Sequence, residues 1–348
     1  MDKNLSSRKR LEPFKCSDCS EIDLILAPWG FGGTDNLAQE GAHSFVEKDM
    51  LRKLESVGQT VNLVEPEPLG PFHIQEDPDK IRNLDAILQI NTWLTNRVEQ
   101  SYKDSHFPIT LGGDGSLSIA TVAAFANHTL QSNEISPEEI GVLWLNNHLC
   151  NSAPRVTKSW NLNRMAFTAM STERDLDEMH EDFKNLLISH KKNFPASEQV
   201  TNGANKPILP RSNIVHFGIS HRSAKAETTH EYFTMEDIGE LSIKEAINSA
   251  IASLDHCKKI HLIWDVNSMD VSGVSNYCPG QLTYREALMI ARTIDTRIRR
   301  KDRLASIDFV EHCPSREAWD KRGETAKWVT DIAANIFGET IFNQLRKY

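Results

Sequence analysis

Seven short apolar runs, each closed by Gly-rich or polar punctuation and followed by a helical pattern, constrain this chain more than any other feature. They are 22–28 (IDLILAP), 60–66 (TVNLVEP), 108–114 (PITLGGD), 140–147 (IGVLWLNN), 212–219 (SNIVHFGI), 259–266 (KIHLIWDV) and 304–311 (LASIDFVE). Runs with so few polar interruptions read as strands covered on both faces, which is the pattern of a parallel sheet. Helical patterns lie between them at 42–57, 78–103, 116–131, 173–193, 242–256 and 283–299, the last ending in a basic RIRR that suits a helix C-terminus. A further amphipathic helix is expected from about Arg322 to Phe337. Strands and helices alternating at this spacing predict a three-layer α/β/α fold around a mostly parallel central sheet.

A length of 348 residues fits one or two domains. The irregular stretch 194–213 carries three prolines, yet the alternation resumes after it, so it reads as a surface excursion and not a boundary. The expected organisation is an N-terminal tail over 1–21 and a single domain over 22–348. Lys and Arg number 39 against 48 Asp and Glu, a net charge of −9 that argues against nucleic acid as the main partner. The apolar runs fall far short of the ~18 residues needed to cross a bilayer, and the N-terminus lacks a signal-peptide core, so no membrane partner and a cytoplasmic location are expected. Six cysteines are too sparse for a secreted disulfide framework. Cys16 and Cys19, with no strand before them and no second C-x-x-C pair, read as tail residues in preference to a redox or zinc site.

In an open parallel sheet, ligands bind beyond the C-terminal strand ends. Four ends stand out: 112–116 (GGDGS), 146–152 (NNHLCNS), 265–270 (DVNSMD) and 308–311 (DFVE). Residues i and i+2 leaving a strand point the same way, so Asn146, His148 and Cys150 form one set and Asp265 and Asn267 another. That spacing suits a metal cluster, but its content does not suit a hard divalent ion, because only Asp265 among the five is a carboxylate. Asp114 is expected to fix the Gly-rich turn by accepting backbone N–H groups. Glu311 ends an apolar run and needs a partner, for which a local arginine is one candidate. Residues 146–170 hold Arg155, Lys158 and Arg164 but no Asp or Glu, and His221, Arg222 and Lys225 follow. This is either a solvated rim or a cationic mouth suited to an anionic ligand, around a site that reads as neutral to basic.

Five stretches in chain order resemble the arginase, or ureohydrolase, family: ILAPWGFGGTDNLAQEGAHSF, LGGDGSLSIA, NNHLCNSAPRVTKSWNLNRM, WDVNSMDVSGVSNYCPGQLTYREAL and SIDFVEHCPS. The resemblance implies a helix-flanked α/β sheet, a trimer, and a two-manganese site that hydrolyses a guanidino group to urea. It places the metal positions at Gly115, Asn146, His148, Cys150, Asp265 and Asn267, so that two of the six, His148 and Asp265, keep the family's ligand residue. Two Mn²⁺ ions about 3.5–4 Å apart need several carboxylates to offset their charge. The resemblance also puts the family's proton-shuttling histidine at Asn163 and an amine-contacting Asp at Ser223, in a shortened loop. Ser159, Asn161 and Glu311 match substrate-contacting positions, and Arg155 is a further candidate.

The expectation is therefore a homotrimeric arginase-like protein that has lost manganese binding and hydrolysis. It would need no cofactor, and would act as a binding, regulatory or structural homologue with a possible small-molecule ligand in the vestigial pocket. Two alternatives stay open. One is a working ureohydrolase with unusual ligands, binding Mn, or a single Zn through His148, Asp265 and Cys150. The other is a thiol-dependent enzyme in which His148 activates Cys150.

Overall fold

The computed structural model describes residues 21–74, 81–131, 135–152, 159–171, 209–220 and 230–338. Within them the strands are β1 (Glu21–Ala27), β2 (Val61–Val64), β3 (His106–Gly112), β4 (Ile140–Leu145), β5 (Ile214–Ile219), β6 (Tyr232–Thr234), β7 (Lys259–Asp265) and β8 (Leu304–Val310). They form one sheet in the order β2-β1-β3-β8-β7-β4-β5-β6, and every neighbouring pair is parallel. The seven apolar runs supply seven of these strands. The eighth, β6, has three residues, too few to show a pattern in the sequence.

Two helical layers cover the sheet. On one face lie α1 (Gly41–Glu47), α2 (Met50–Ser56), α6 (Met235–Leu241), α7 (Ile243–Ala252), α8 (Tyr284–Arg297) and α9 (Glu324–Ile336), which share one apolar cluster with the strands. The other face is covered by α3 (Leu84–Lys103), α4 (Ser118–Gln131) and α5 (Ala166–Ser171). The three-layer expectation holds, with local differences. The stretch 42–57 is two helices and not one, because Asp49 sits at φ +64 between them and breaks the hydrogen-bond ladder. Asn83, at φ +56, likewise sets the start of α3. The helix read over 173–193 lies outside the described residues.

Capping boxes fix where α6 and α8 begin: Thr234 with Asp237, and Thr283 with Glu286. Among the described residues, no helix is long and apolar enough to cross a membrane. β3 and β4 follow each other among the strands of the chain yet lie on opposite sides of the inserted pair β8-β7. Such a break in strand order opens a crevice at the C-terminal edge, where a ligand can enter. The loops leaving these four central strands build the candidate site.

Candidate functional site

A cavity of about 490 Å³ opens at this edge and brings together strand ends that lie far apart in sequence. Asp114 and Gly115 follow β3, Asn146 to Ser152 follow β4, Asp265 ends β7 with Asn267 beyond it, and Glu311 follows β8; all line it. Gly115, Asn146, His148, Cys150, Asp265 and Asn267, the positions that the resemblance assigns to metal ligands, thus surround one space.

Three carboxyls are buried here. Asp114, Asp265 and Glu311 are 1%, 3% and 2% exposed, so water does little to stabilise their charges. Asp114 accepts the N–H groups of Gly32 at 2.9 Å and Ser116 at 2.8 Å, fixing the Gly-rich turn as expected. The turn needs Gly113, because a Cβ there would sit 1.7 Å from the Trp29 carbonyl oxygen. Asp265 accepts the Asn267 N–H at 2.8 Å and caps the short helical turn that follows. Glu311, at a left-handed φ of +70, turns its side chain to the Gly115 N–H at 2.7 Å and Asn163 Nδ2 at 3.4 Å.

Among the described residues, the hydrogen-bond partners of Glu311 are therefore backbone and amide, while Arg155 and Arg222 lie outside them. The second oxygen of Glu311, Oε2, is buried without a hydrogen bond, as is Asn163 Oδ1. Burial, reinforced by the charge of Asp114, raises the Glu311 carboxyl to about 7. Asp265 is pushed well up by burial and then by Glu311, and Asp114 is raised by burial against its own hydrogen bonds.

The β4 side differs in kind. Asn146 Oδ1 accepts the His148 N–H at 3.2 Å, and its Nδ2 donates to Cys150 Sγ at 3.2 Å. The His148 ring meets Asn147 Oδ1 and lies 3.0 Å from Asn276 Nδ2 at its Nε2. The hydrogen bond that reaches the Cys150 thiol from this loop comes from the Asn146 amide. Burial of the sulfur, followed by the charges of Asp265 and Glu311, pushes the thiol up, the opposite of what a nucleophile needs. Asn267 Oδ1 accepts the Asn276 N–H at 2.8 Å and the Ser275 hydroxyl at 3.2 Å.

Several expected site residues fall elsewhere. Asn161 is buried, with its amide held by Thr34 at 3.1 Å and Arg82 at 3.3 Å, so it does not line the cavity; nor does Ser159, whose hydroxyl accepts the Asn161 N–H. Arg155, Lys158, His221, Arg222, Ser223 and Lys225, and the Cys16 and Cys19 pair, lie outside the described residues. The lining carries both signs of charge among its described residues. Its described residues include Asp35, Asp114, Asp265 and Glu311 against Arg164 and Arg316, and Arg316 is paired with Asp35 at 2.5 Å. Sequence reasoning missed Ser275 and Asn276, which lie on the long loop after β7 that folds back over the strand ends, and Arg316, which follows β8 and donates to the Ser275 carbonyl at 2.6 Å.

These residues do not fit a manganese pair. Neutral amide oxygens ligate weakly, those of Asn146 and Asn267 already accept hydrogen bonds, and Gly115 offers no side chain. Among the described residues, no group of three or more His, Cys, Asp or Glu is placed to hold a metal ion.

A parallel sheet with its site at the β3-β8-β7-β4 edge defines the class, and comparison with known proteins supplies the family. The model of the arginase family matches residues 38–338. The arginase of Bacillus caldovelox is 26% identical over 333 residues, covering 92% of this chain and 99% of that protein. An arginase of Staphylococcus aureus is 25% identical, covering 92% of this chain and 98% of that one. The solved Bacillus caldovelox arginase superposes with a TM-score of 0.75 at 22% identity, over 92% of this chain and 99% of that one. The chain belongs to the arginase family.

Proposed function

We propose that this chain is a non-hydrolytic member of the arginase family, acting as a cytoplasmic homotrimer that binds a small cationic ligand, a guanidino compound or an amine, in the pocket. The observation that carries the reading is the replacement of four of the six metal positions by Gly115, Asn146, Cys150 and Asn267, with the two asparagine oxygens engaged inside the protein. Asn163 adds to it, since an amide has no nitrogen that titrates near neutral pH and cannot shuttle a proton.

Cation binding is supported by the floor of the cavity. Glu311, Asn163 and Asp265 line it, and one oxygen each of Glu311 and Asn163 is buried without a hydrogen bond. A ligand that brings N–H donors and positive charge would satisfy the orphaned acceptors and offset the carboxyl repulsion.

The test uses purified full-length protein. Expected are substoichiometric Mn and Zn by elemental analysis, no urea from arginine or agmatine, and a rise in unfolding temperature with one of those ligands. Stoichiometric metal together with released urea overturns the reading.

A further inference from the structure

In a protein whose active site is organised by ions, those ions also tie the ligand-bearing loops together. Here the loop after β4 and the loop after β7 meet by another route. Asn147 Nδ2 donates to the Asn276 carbonyl at 3.0 Å, and the Asn276 side chain reaches back to the His148 ring at 3.0 Å. Within each loop the amides close on themselves. Asn146 links His148 to Cys150, and Asn267 takes the Asn276 N–H and the Ser275 hydroxyl while donating to Ser275 at 3.0 Å. The amide groups are uncharged, so the links among them need no counter-charge. Asn147 is 2% exposed and Asn267 5%, so loss of their partners would leave buried polar atoms unsatisfied.

We infer that this amide network replaces the metal pair as the clamp between the β4 and β7 loops, with Asn276 as its keystone positioning residue. The inference rests on the metal-free reading of the pocket and adds a device that reading does not require. Asn276 forms the cross-loop links through both its carbonyl and its side chain, and only the side-chain link is removed by mutation. The network also disfavours metal uptake, because an arriving cation would have to break hydrogen bonds to reach the amide oxygens.

The experiment measures thermal unfolding of the full-length protein with and without EDTA and Mn²⁺, and the rate at which iodoacetamide labels Cys150. For the wild type, neither EDTA nor Mn²⁺ should move the unfolding temperature. Asn147→Ala and Asn276→Ala should each lower it by about 2–5 °C, and the double variant should lose less than the sum. Both should speed Cys150 labelling at least about tenfold by loosening its loop, while the buried Cys257 and Cys313 stay unlabelled.

A drop in wild-type unfolding temperature with EDTA would sink both the clamp and the metal-free reading. If no metal is found, yet Asn276→Ala leaves both the temperature and the labelling rate unchanged, the clamp alone fails. Additive losses in the double variant would also count against it, because they would show Asn147 and Asn276 acting separately.

Discussion

The two sides of the cavity solve the same problem in opposite ways. On the β3 and β8 side, Asp114 and Glu311 keep their carboxyls buried and feed them with backbone N–H groups. On the β4 and β7 side, apart from Asp265, the polar groups are amides, a thiol and an imidazole that hydrogen-bond one another. One side stores charge that has no counter-ion among its described hydrogen-bond partners, and the other is largely neutral. The carboxyl side suits binding of a cation, and the amide side suits holding the frame.

Asp114 should give the largest effect, because both backbone donors that it satisfies are buried. Asp114→Ala leaves the Gly32 and Ser116 N–H groups without acceptors and frees the loop that packs over the end of β3. The expected loss is about 3–5 kcal/mol in urea unfolding at pH 7. A loss below about 1 kcal/mol would mean that the turn holds its shape through sterics alone.

Next comes the charge of Glu311. Its folded-state carboxyl is raised from 4.5 to about 7, so the folded protein binds more protons than the unfolded chain between those values. Stability contributed by this group is therefore present at low pH and lost as pH rises through that window. Glu311→Gln keeps an acceptor for Gly115 and removes the repulsion. It should stabilise the protein by about 2 kcal/mol at pH 8 and have little effect at pH 4. Equal effects at both pH values would show that Glu311 already has a counter-charge.

Beneath the amide side, His216 and His230 extend the neutral region into the core. Their rings lie 5.2 Å apart among Trp144 and Phe167, and none of their nitrogens has a hydrogen bond. Burial, with a contribution from Arg211, lowers His230 from 6.5 to about 4, and burial takes His216 well below its usual value. Histidines held neutral in the fold bind protons more readily when unfolded, so the sign is the reverse of that for Glu311. Stability is complete above about 6.5 and falls with pH towards 4. Near pH 5 the pair contributes a slope of roughly 2 kcal/mol per pH unit, and His216→Leu should halve it, as measured by urea titration at pH 4.5, 5.5 and 7. An unchanged slope would place the acid sensitivity elsewhere.

Much of the sheet was legible because burial on both faces writes an unbroken apolar run. Ile140 to Leu145 and Lys259 to Asp265 match their runs to within a residue or two. Elements that owe their shape to tertiary contact were not legible: β6 is a short addition beside β5, and α5 has six residues, all buried. At the site, spacing alone placed Asn146, His148, Cys150, Asp265 and Asn267 around one space, since strand geometry fixes where residues i and i+2 point. Asn161 escaped that logic. It lies in a loop, and nothing local says that its amide turns to Thr34 and Arg82. Asn276 was invisible for a related reason, as its role depends on a loop returning to a strand end 128 residues away.

Cys150 gives the smallest effect, one of rate with no change in stability, and it divides the two sides most sharply. An activated thiol needs a base beside it and a positive surrounding. Cys150 has the Asn146 amide on one side and the charges of Asp265 and Glu311 nearby, which disfavour the thiolate. At pH 8 iodoacetamide should label Cys150 in the native protein about 100-fold more slowly than after unfolding in urea. Cys278 is partly exposed and bonded only weakly to the Pro279 carbonyl, so it should react at close to the unfolded rate in the same sample and serve as the internal standard. Peptide mapping by mass spectrometry reads both sites at once. Fast labelling of Cys150, blocked by a guanidino ligand, would reverse the assignment and put a nucleophile on the side of the cavity that the hydrogen bonds make inert.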